Sequence, residues 1–397
     1  MRGRRRLYSA FLLSTIFLLL LSWVNKHRLL PGNQGSAVGS GLTQQQQLRL
    51  RMLLREPSSQ LLHLASPRRH SPGGEPLNTP GTSKLEVAYG TVLGALQNAL
   101  LSAQNPPPDT YDLEEPLPPK APADKIIRDP QQAYLAMCLG VKDQNEDLRE
   151  WIEYHRSIGV GKFYVFDDNS TVPAANALQD LIQGGLVECE AVGSIPDNTT
   201  RPQLCVYDRC IQRYRMRHQW MAFVDADEFI VIRDPAVASL PQLLREYTGY
   251  GALVVNWQIF GASGHLSRPP GSTLASYTAC YPEQDLENTH VKSIANMDHV
   301  WRPGQDPHHF KYYEGKHAVN SAGERVAGPR ADRIVTDRVV LNHYVTKSAE
   351  QYQQKMDRGS GMGNRKSIEF YDLTQQMATE SCTYAVHLGR PQPQAVQ

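Results

Sequence analysis

Charge of one sign is what this 397-residue sequence lacks most plainly. It carries 41 Lys and Arg against 40 Asp and Glu, a formal net charge of +1. Nucleic-acid-binding domains are usually strongly basic and acidic solvating chains strongly negative, so neither class fits and no nucleic-acid partner is expected. Cysteine is missing from everything before Cys138, and no Cys-x-x-Cys occurs anywhere, which removes the zinc-ribbon and thioredoxin readings. Long apolar runs are also scarce. The exception is Leu7 to Val24, 18 residues without charge or proline, preceded by Arg2, Arg4, Arg5 and Arg6. At about 1.5 Å per residue such a run nearly spans a hydrocarbon core of about 30 Å. The basic flank keeps the N-terminus cytosolic. Residues 1–6 therefore read as a cytosolic tail and 7–24 as a single-pass type II signal anchor. The competing reading is a cleaved signal peptide, but Ser22-Trp23-Val24-Asn25-Lys26 is a poor cleavage site.

Beyond the anchor the chain divides by composition. Fourteen of the 27 prolines lie in residues 1–130, while all six cysteines lie beyond them. Residues 25–129 read as a Pro-rich stem that cannot bury a continuous core. Within it Tyr89, Val92, Leu93, Leu96 and Leu100 recur at helical spacing. The plain reading is a short amphipathic helix, and the sharper one is homodimer contact through the stem. Residues 130–390 form the globular part. Strand-like runs at Tyr134–Val141, Lys162–Phe166, Leu186–Val192 and Trp220–Val224 alternate with helical patterns at Leu148–Ile158, Ala174–Ile182 and Leu204–Arg217. That order predicts an α/β fold with a mostly parallel sheet, and ligands at the carboxyl ends of its strands. Ser239-x-x-Gln242 and Ser348-x-x-Gln351 read as capping boxes. The six cysteines allow up to three disulfides in an oxidising compartment, with Cys138 also readable as a buried thiol. Asn169 and Asn198 head glycosylation sequons.

The chemistry centres on Trp220-Met-Ala-Phe-Val-Asp225-Ala-Asp227-Glu228. Carboxylates at i and i+2 of an extended strand point to one side, and hard oxygen donors suit Mg²⁺ or Mn²⁺ shared with substrate phosphates. His343, at the end of another strand, is a candidate third ligand, with His308 its rival. Lys347, beside the capped helix start at Ser348, suits a diphosphate. Asp167 and Asp168 end a strand on the same predicted edge and could accept hydrogen bonds from a ribose or base, or simply cap a turn. A nucleotide there would leave Asn169 unmodified. Gly359-Ser-Gly361-Met-Gly363-Asn-Arg365-Lys366 is a basic glycine-rich loop that could fold over phosphates. Trp257, Phe260 and His265, on a glycine-rich turn, could stack on a sugar acceptor, with core packing as the plain alternative.

These residues resemble glycosyltransferase family 92, in particular its plant and algal branch that includes galactan synthases. The motifs are Glu150-Trp151-Ile-Glu-Tyr-His155, Phe166-Asp-Asp-Asn-Ser170, Phe223-Val-Asp-Ala-Asp-Glu-Phe229, Phe260-Gly-Ala-Ser-Gly-His265, His290-Val-Lys-Ser-Ile294, Asn342-His-Tyr-Val-Thr-Lys-Ser348 and Arg358-Gly-Ser-Gly-Met-Gly-Asn-Arg-Lys366. The resemblance implies a GT-A (Rossmann-like) nucleotide-sugar-binding fold. It implies a Golgi membrane enzyme with a lumenal catalytic domain. The reaction would be inverting and Mn²⁺-dependent, moving a hexose, most often from UDP-galactose, to a glycan or cell-wall polysaccharide. Asp225, Asp227 and His343 would hold the metal. Lys142, Asp167, Asp168, Lys347 and Arg358 would meet the donor, and Trp257, Phe260 and His265 the acceptor. The loop Val141-Lys-Asp-Gln-Asn-Glu146 departs from the family's shorter Lys-Asn-Glu. An inverting reaction also needs a carboxylate base. Glu283, Asp285, Glu287, Asp298 and Asp306 are candidates, with none assigned. The alternatives are a metal-dependent lumenal phosphohydrolase and a non-catalytic glycan-binding protein.

Overall fold

The computed structural model describes residues 118–122, 126–192, 201–363 and 367–389. The tail, the anchor, nearly all of the stem with its Tyr89–Leu100 pattern, the Asn198 sequon and Asn364-Arg365-Lys366 lie outside them. Among the described residues no helix is long and apolar enough to cross a membrane.

The first half follows the hydrophobic periodicity. Strand β1 (Leu135–Val141) leads into helix α1 (Asn145–Ser157), whose Leu148, Trp151, Ile152 and His155 are buried. Gly159, at φ 102°, turns the chain into β2 (Lys162–Asp167). The pattern over Ala174–Ile182 becomes two short helices, α2 (Ala174–Ala177) and α3 (Gln179–Gln183), before β3 (Val187–Ala191). Helix α4 (Pro202–Tyr214) opens with proline, whose missing N–H is no loss in a first turn, and leads to β4 (Trp220–Phe223). These strands lie parallel in the order β3-β2-β1-β4. Strands β1 and β4 are apolar throughout and β2 is so between Lys162 and Asp167, while β3 at the edge carries Glu188 and Glu190.

The second half departs from that scheme. After β5 (Glu228–Ile232), α5 (Leu240–Leu244) and β6 (Ala252–Ile259) come α6 (Thr273–Ser276), β7 (Ala279–Cys280) and β8 (Val291–Asn296). Strand β8 inserts antiparallel between β4 and β6, so the sheet is mixed rather than mostly parallel. A hairpin of β9 (Val300–Pro303) and β10 (Phe310–Tyr312) comes next. Then come β11 (Ala318–Val319), parallel to β6, and β12 (Arg325–Val326) at the sheet's edge. Strand β13 (Val339–His343) pairs with β5 and with the last residues of β6. Strand β6 therefore forks. Ala252–Asn256 pair with β8 in the main sheet, while Trp257–Ile259 pair with β13. Helices α7 (Ala349–Arg358) and α8 (Ile368–Met377) precede β14 (Glu380–Ser381), which pairs with β7.

Two disulfides tie these layers, Cys138–Cys210 joining β1 to α4 and Cys280–Cys382 joining β7 to the chain after β14. Cys138 is therefore bonded rather than a lone buried thiol. Cys189 and Cys205 are free. Closing loops of 72 and 102 residues restricts the unfolded chain, by about 4–5 kcal/mol each on the chain-entropy argument.

Candidate active site

Helix α1 sets the position of the acidic turn. Among the described residues β5 has one strand partner, β13, and α1 satisfies its other edge with side chains. Trp151 Nε1 donates to the Glu228 carbonyl at 2.8 Å, the Tyr154 hydroxyl donates to the Ile230 carbonyl at 2.9 Å, and the Ile230 amide donates to His155 Nε2 at 3.2 Å. His155 Nδ1 donates in turn to the Trp151 carbonyl at 2.8 Å. A buried strand edge left without such partners would be costly. Burial holds His155 neutral, its pKa pushed down to about 3.

Asp225 and Asp227 do not end one extended strand. They sit on a turn between β4 and β5, closed by the Glu228 amide donating to the Asp225 carbonyl at 3.0 Å. Glu228 Oε2 accepts from the Asp225 amide at 2.8 Å. The alternation expected of a strand is lost, and the two carboxylates part company. Asp225 accepts from Gln203 Nε2 at 2.6 Å and from Lys292 Nζ at 2.9 Å. Lys292 is buried in β8 and also pairs with Glu228 at 3.4 Å. Burial opposes the Lys292 charge, but Asp225 and Glu228 outweigh it and raise its pKa well above the ordinary value. Glu228 is pushed up to about 8, by burial first and by the neighbouring aspartates, against the pull of Lys292.

Asp227 faces a cleft of about 580 Å³. Its Oδ2 pairs with Lys355 Nζ of α7 at 2.5 Å. Burial would raise its pKa, yet the Lys355 ammonium outweighs that and holds it far below the usual carboxylate range. Its Oδ1 lies 3.9 Å from His343 Nε2. Burial keeps His343 neutral, with its pKa lowered to about 3, the form in which imidazole binds metals. The ring stands edge-on to Trp257 at 4.3 Å. Among the described residues no three His, Cys, Asp or Glu side chains converge as a ready-made cation site. Asp227 Oδ1 and His343 Nε2 nevertheless offer two facing donors, neither hydrogen-bonded to a described residue. That suits an ion completed by substrate phosphates.

The cleft is also lined by Lys142, Asp143, Asp147, Arg268, Lys347 and Arg358. Lys347 takes φ 52° and pairs with Asp147 at 2.8 Å. Arg268 pairs with Asp147 at 3.0 Å and with Glu146 at 2.9 Å. Burial raises the Asp147 pKa, but the two cations outweigh it and lower it overall. Lys347 was expected on a diphosphate at a helix start. Here its charge is matched, and the α7 amides are taken. Ala349 and Glu350 donate to the His265 and Leu266 carbonyls, and Gln351 donates to the capping Ser348 Oγ at 3.2 Å. Lys142 and Arg358 are different, because neither makes an ion pair or hydrogen bond to a described residue. Burial lowers the Arg358 pKa, so its guanidinium gains from any anion that enters.

Other expected residues lie elsewhere. Asp167 accepts from the Ser170 and Ala174 amides at 2.9 and 2.7 Å, the turn-capping alternative. Neither it nor Asp168 lines the cleft. Trp257 belongs to β6 at the fork, ringed by His290, His308 and His343. Phe260 is 1% exposed and packs on Tyr344, so it is core. His265 faces the Ser276 carbonyl at 3.1 Å. His308 is turned through Nδ1 to the Val291 carbonyl at 2.9 Å. The five candidate bases are engaged away from the cleft: Glu283 with Arg233, Glu287 with Arg330, Asp298 with Arg128, Asp306 with His309, and Asp285 capping the Glu287 amide. Sequence reasoning missed Gln203, Lys292, Arg268, Asp147 and Lys355. A charge inside the apolar run Val291-Lys292-Ser293-Ile294 was the one usable signal among them.

Comparison with known proteins agrees with the motifs. The chain is 27% identical over 235 residues to a family 92 glycosyltransferase of rice, Oryza sativa subsp. japonica, covering 56% of this chain and 35% of that protein. It is 32% identical over 111 residues to the galactan β-1,4-galactosyltransferase GALS2 of Arabidopsis thaliana, covering 26% and 21%. The chain thus spans well under half the length of these curated relatives. Among solved structures, S. aureus TarS 1–349 in complex with UDP-GlcNAc aligns with a TM-score of 0.28 at 12% identity, over 51% of this chain and 61% of that one, a likeness too low to argue from. The profile of glycosyltransferase family 92 matches residues 133–369, more than half of the sequence, and the chain belongs to that family.

Proposed function

We propose that this chain is a glycosyltransferase of GT-A type that takes a nucleotide-sugar donor in the cleft beside Asp227. The carrying observation is electrostatic. Arg358 and Lys142 line that cleft with no anionic partner among the described residues, next to a carboxylate and a neutral imidazole that face each other at 3.9 Å. A diphosphate supplies the missing anion, and charge-assisted contacts from guanidinium are strong and geometrically selective. Asp227 and His343 would hold a divalent ion, Mn²⁺ or Mg²⁺. When bound, that ion would offset charge developing on the departing nucleotide. Arg358 and Lys142 bind and orient the diphosphate. Asp225, fixed by Gln203 and Lys292 and still 37% exposed at its side chain, can accept from a donor hydroxyl. Trp257 and His265 are the remaining candidates for the acceptor side.

Names of relatives support the finer reading, since two of them are galactan β-1,4-galactosyltransferases of Arabidopsis. UDP-galactose as donor, a glycan or cell-wall polysaccharide as acceptor, and inversion rest on that resemblance. Two disulfides fit a lumenal compartment, and the Leu7–Val24 run fits a Golgi type II anchor. The test is a screen of UDP-sugars with and without Mn²⁺. The reading expects Mn²⁺-dependent release of UDP, faster with acceptor. Release of inorganic phosphate without acceptor would favour the phosphohydrolase, and sugar binding indifferent to Mn²⁺ and UDP would favour the glycan-binding protein.

A further inference from the structure

The turn from Asp225 to Glu228 gathers three carboxylates and two lysines, and the two lysines are placed differently. Lys292 Nζ is enclosed between Asp225 and Glu228 with its side chain 1% exposed, and it does not line the cleft. Lys355 stands on the cleft wall. Its Nζ reaches Asp227 Oδ2 at 2.5 Å and the Val345 carbonyl at 2.9 Å, with its side chain 16% exposed. Arg358, one turn further along α7, lines the same wall. The carboxylate best placed to hold a divalent ion is thus already neutralised by a cation of the chain itself. A second positive charge arriving there meets a weaker ligand and a nearby like charge, and both effects are large where water is partly excluded.

We propose that Lys355 is a placeholder cation, holding Asp227 while the cleft is empty and releasing it when a diphosphate offers its ammonium another anion. The proposal rests on the donor-site reading above. Its four-methylene stem lets Nζ move within the cleft while α7 stays fixed, whereas Lys292 is walled in and out of reach of any anion entering the cleft. Phosphate and metal then help each other to bind through Lys355. Such coupling is reciprocal, and ligand pairs commonly change each other's affinity by about 5- to 150-fold. Lys355 is a positioning residue here, acting on Asp227. The arrangement keeps the cleft from filling with adventitious metal and makes the complete site depend on the donor.

The test is Mn²⁺ binding to the full chain, followed by the electron-paramagnetic-resonance signal of free Mn²⁺, with and without UDP. Wild type should bind Mn²⁺ weakly alone and tighter with UDP. Lys355→Met should bind Mn²⁺ alone about tenfold tighter than wild type, and the gain from UDP should shrink. Lys355→Arg, which keeps the cation, should behave as wild type. Lys355→Gln, which keeps a donor for the Val345 carbonyl, serves if the methionine variant does not fold. A neutral variant binding Mn²⁺ no tighter than wild type in the absence of UDP overturns the placeholder alone, provided wild type binds Mn²⁺ with UDP. Failure of every variant to bind Mn²⁺ even with UDP overturns both the placeholder and the metal site beneath it.

Discussion

Asp225 and Asp227 are two residues apart and live in different surroundings. Asp225 belongs to a network of Gln203 from α4, Lys292 from β8 and Glu228, with its own side chain still 37% exposed. Asp227 belongs to a cleft network of Lys355 and His343, with Asp147, Lys347 and Arg358 along the same wall. The inner lysine is walled in and the outer one meets water. A buried pair is strongly destabilised by losing one partner, while a pair at a wet wall can exchange partners. Asp225 thus helps to fix the turn while keeping an exposed oxygen, and Asp227 faces the cleft.

The difference between the two acids is greatest in turnover at Asp227. Asp227→Ala should lower donor turnover by about 10³-fold while leaving the protein folded, as loss of one preorganised charge in an active site does. Near-normal turnover would remove the cleft acid from the mechanism. Lys292→Met should instead act on stability, by about 1.5–3 kcal/mol in urea denaturation, because Asp225 loses a charged hydrogen bond and Glu228 its ion pair. The same swap at Lys355 should cost less. Arg358→Ala should raise the donor KM about 10- to 100-fold, the worth of a charge-assisted contact, with little change in the unfolding midpoint.

pH sharpens the contrast further. Burial holds His155, His290, His308 and His343 neutral, at about 3, 4, 3 and 3. These folded values lie below the unfolded value of about 6.5, so their contribution is complete above that pH. It falls as pH drops, by up to about 1.4 kcal/mol per unit each. Glu228 has the opposite sign. Raised to about 8, it favours folding fully below its unfolded value of about 4.3 and loses that contribution as pH rises toward 8. The buried histidines outnumber Glu228, which predicts a stability maximum near about pH 6.5, measurable as urea midpoints at about pH 5, 6.5 and 8. The smallest effect is Ser348→Ala, which removes the α7 cap for about 1 kcal/mol.

The parallel half of the sheet was legible because each element carries its own period. Leu148, Trp151, Ile152 and His155 spell the buried face of α1, and the apolar runs of β1, β2 and β4 need only covering helices. Ser239 and Ser348 cap α5 and α7 as their spacing predicts. The antiparallel half was not legible, because β8 reaches its place between β4 and β6 through pairing that no local pattern announces. Phe260 shows the same limit: an aromatic beside glycines reads as a sugar platform until Tyr344 covers it. At the site, sequence found the acids and not their partners. Lys292 and Lys355 come from 67 and 128 positions away, and only the folded sheet decides which acid each one meets. The separate partners of Asp225 and Asp227 come from a turn where an extended strand was expected.

The central claim is that the cleft beside Asp227 binds the diphosphate of a nucleotide sugar. Its most direct measurement is turnover of UDP-galactose and other UDP-sugars by the full chain with Mn²⁺, wild type beside Asp227→Ala and Arg358→Ala. The account predicts UDP release by wild type, abolished by the first substitution and shifted to higher donor concentration by the second. Wild-type turnover that both variants retain unchanged would contradict it.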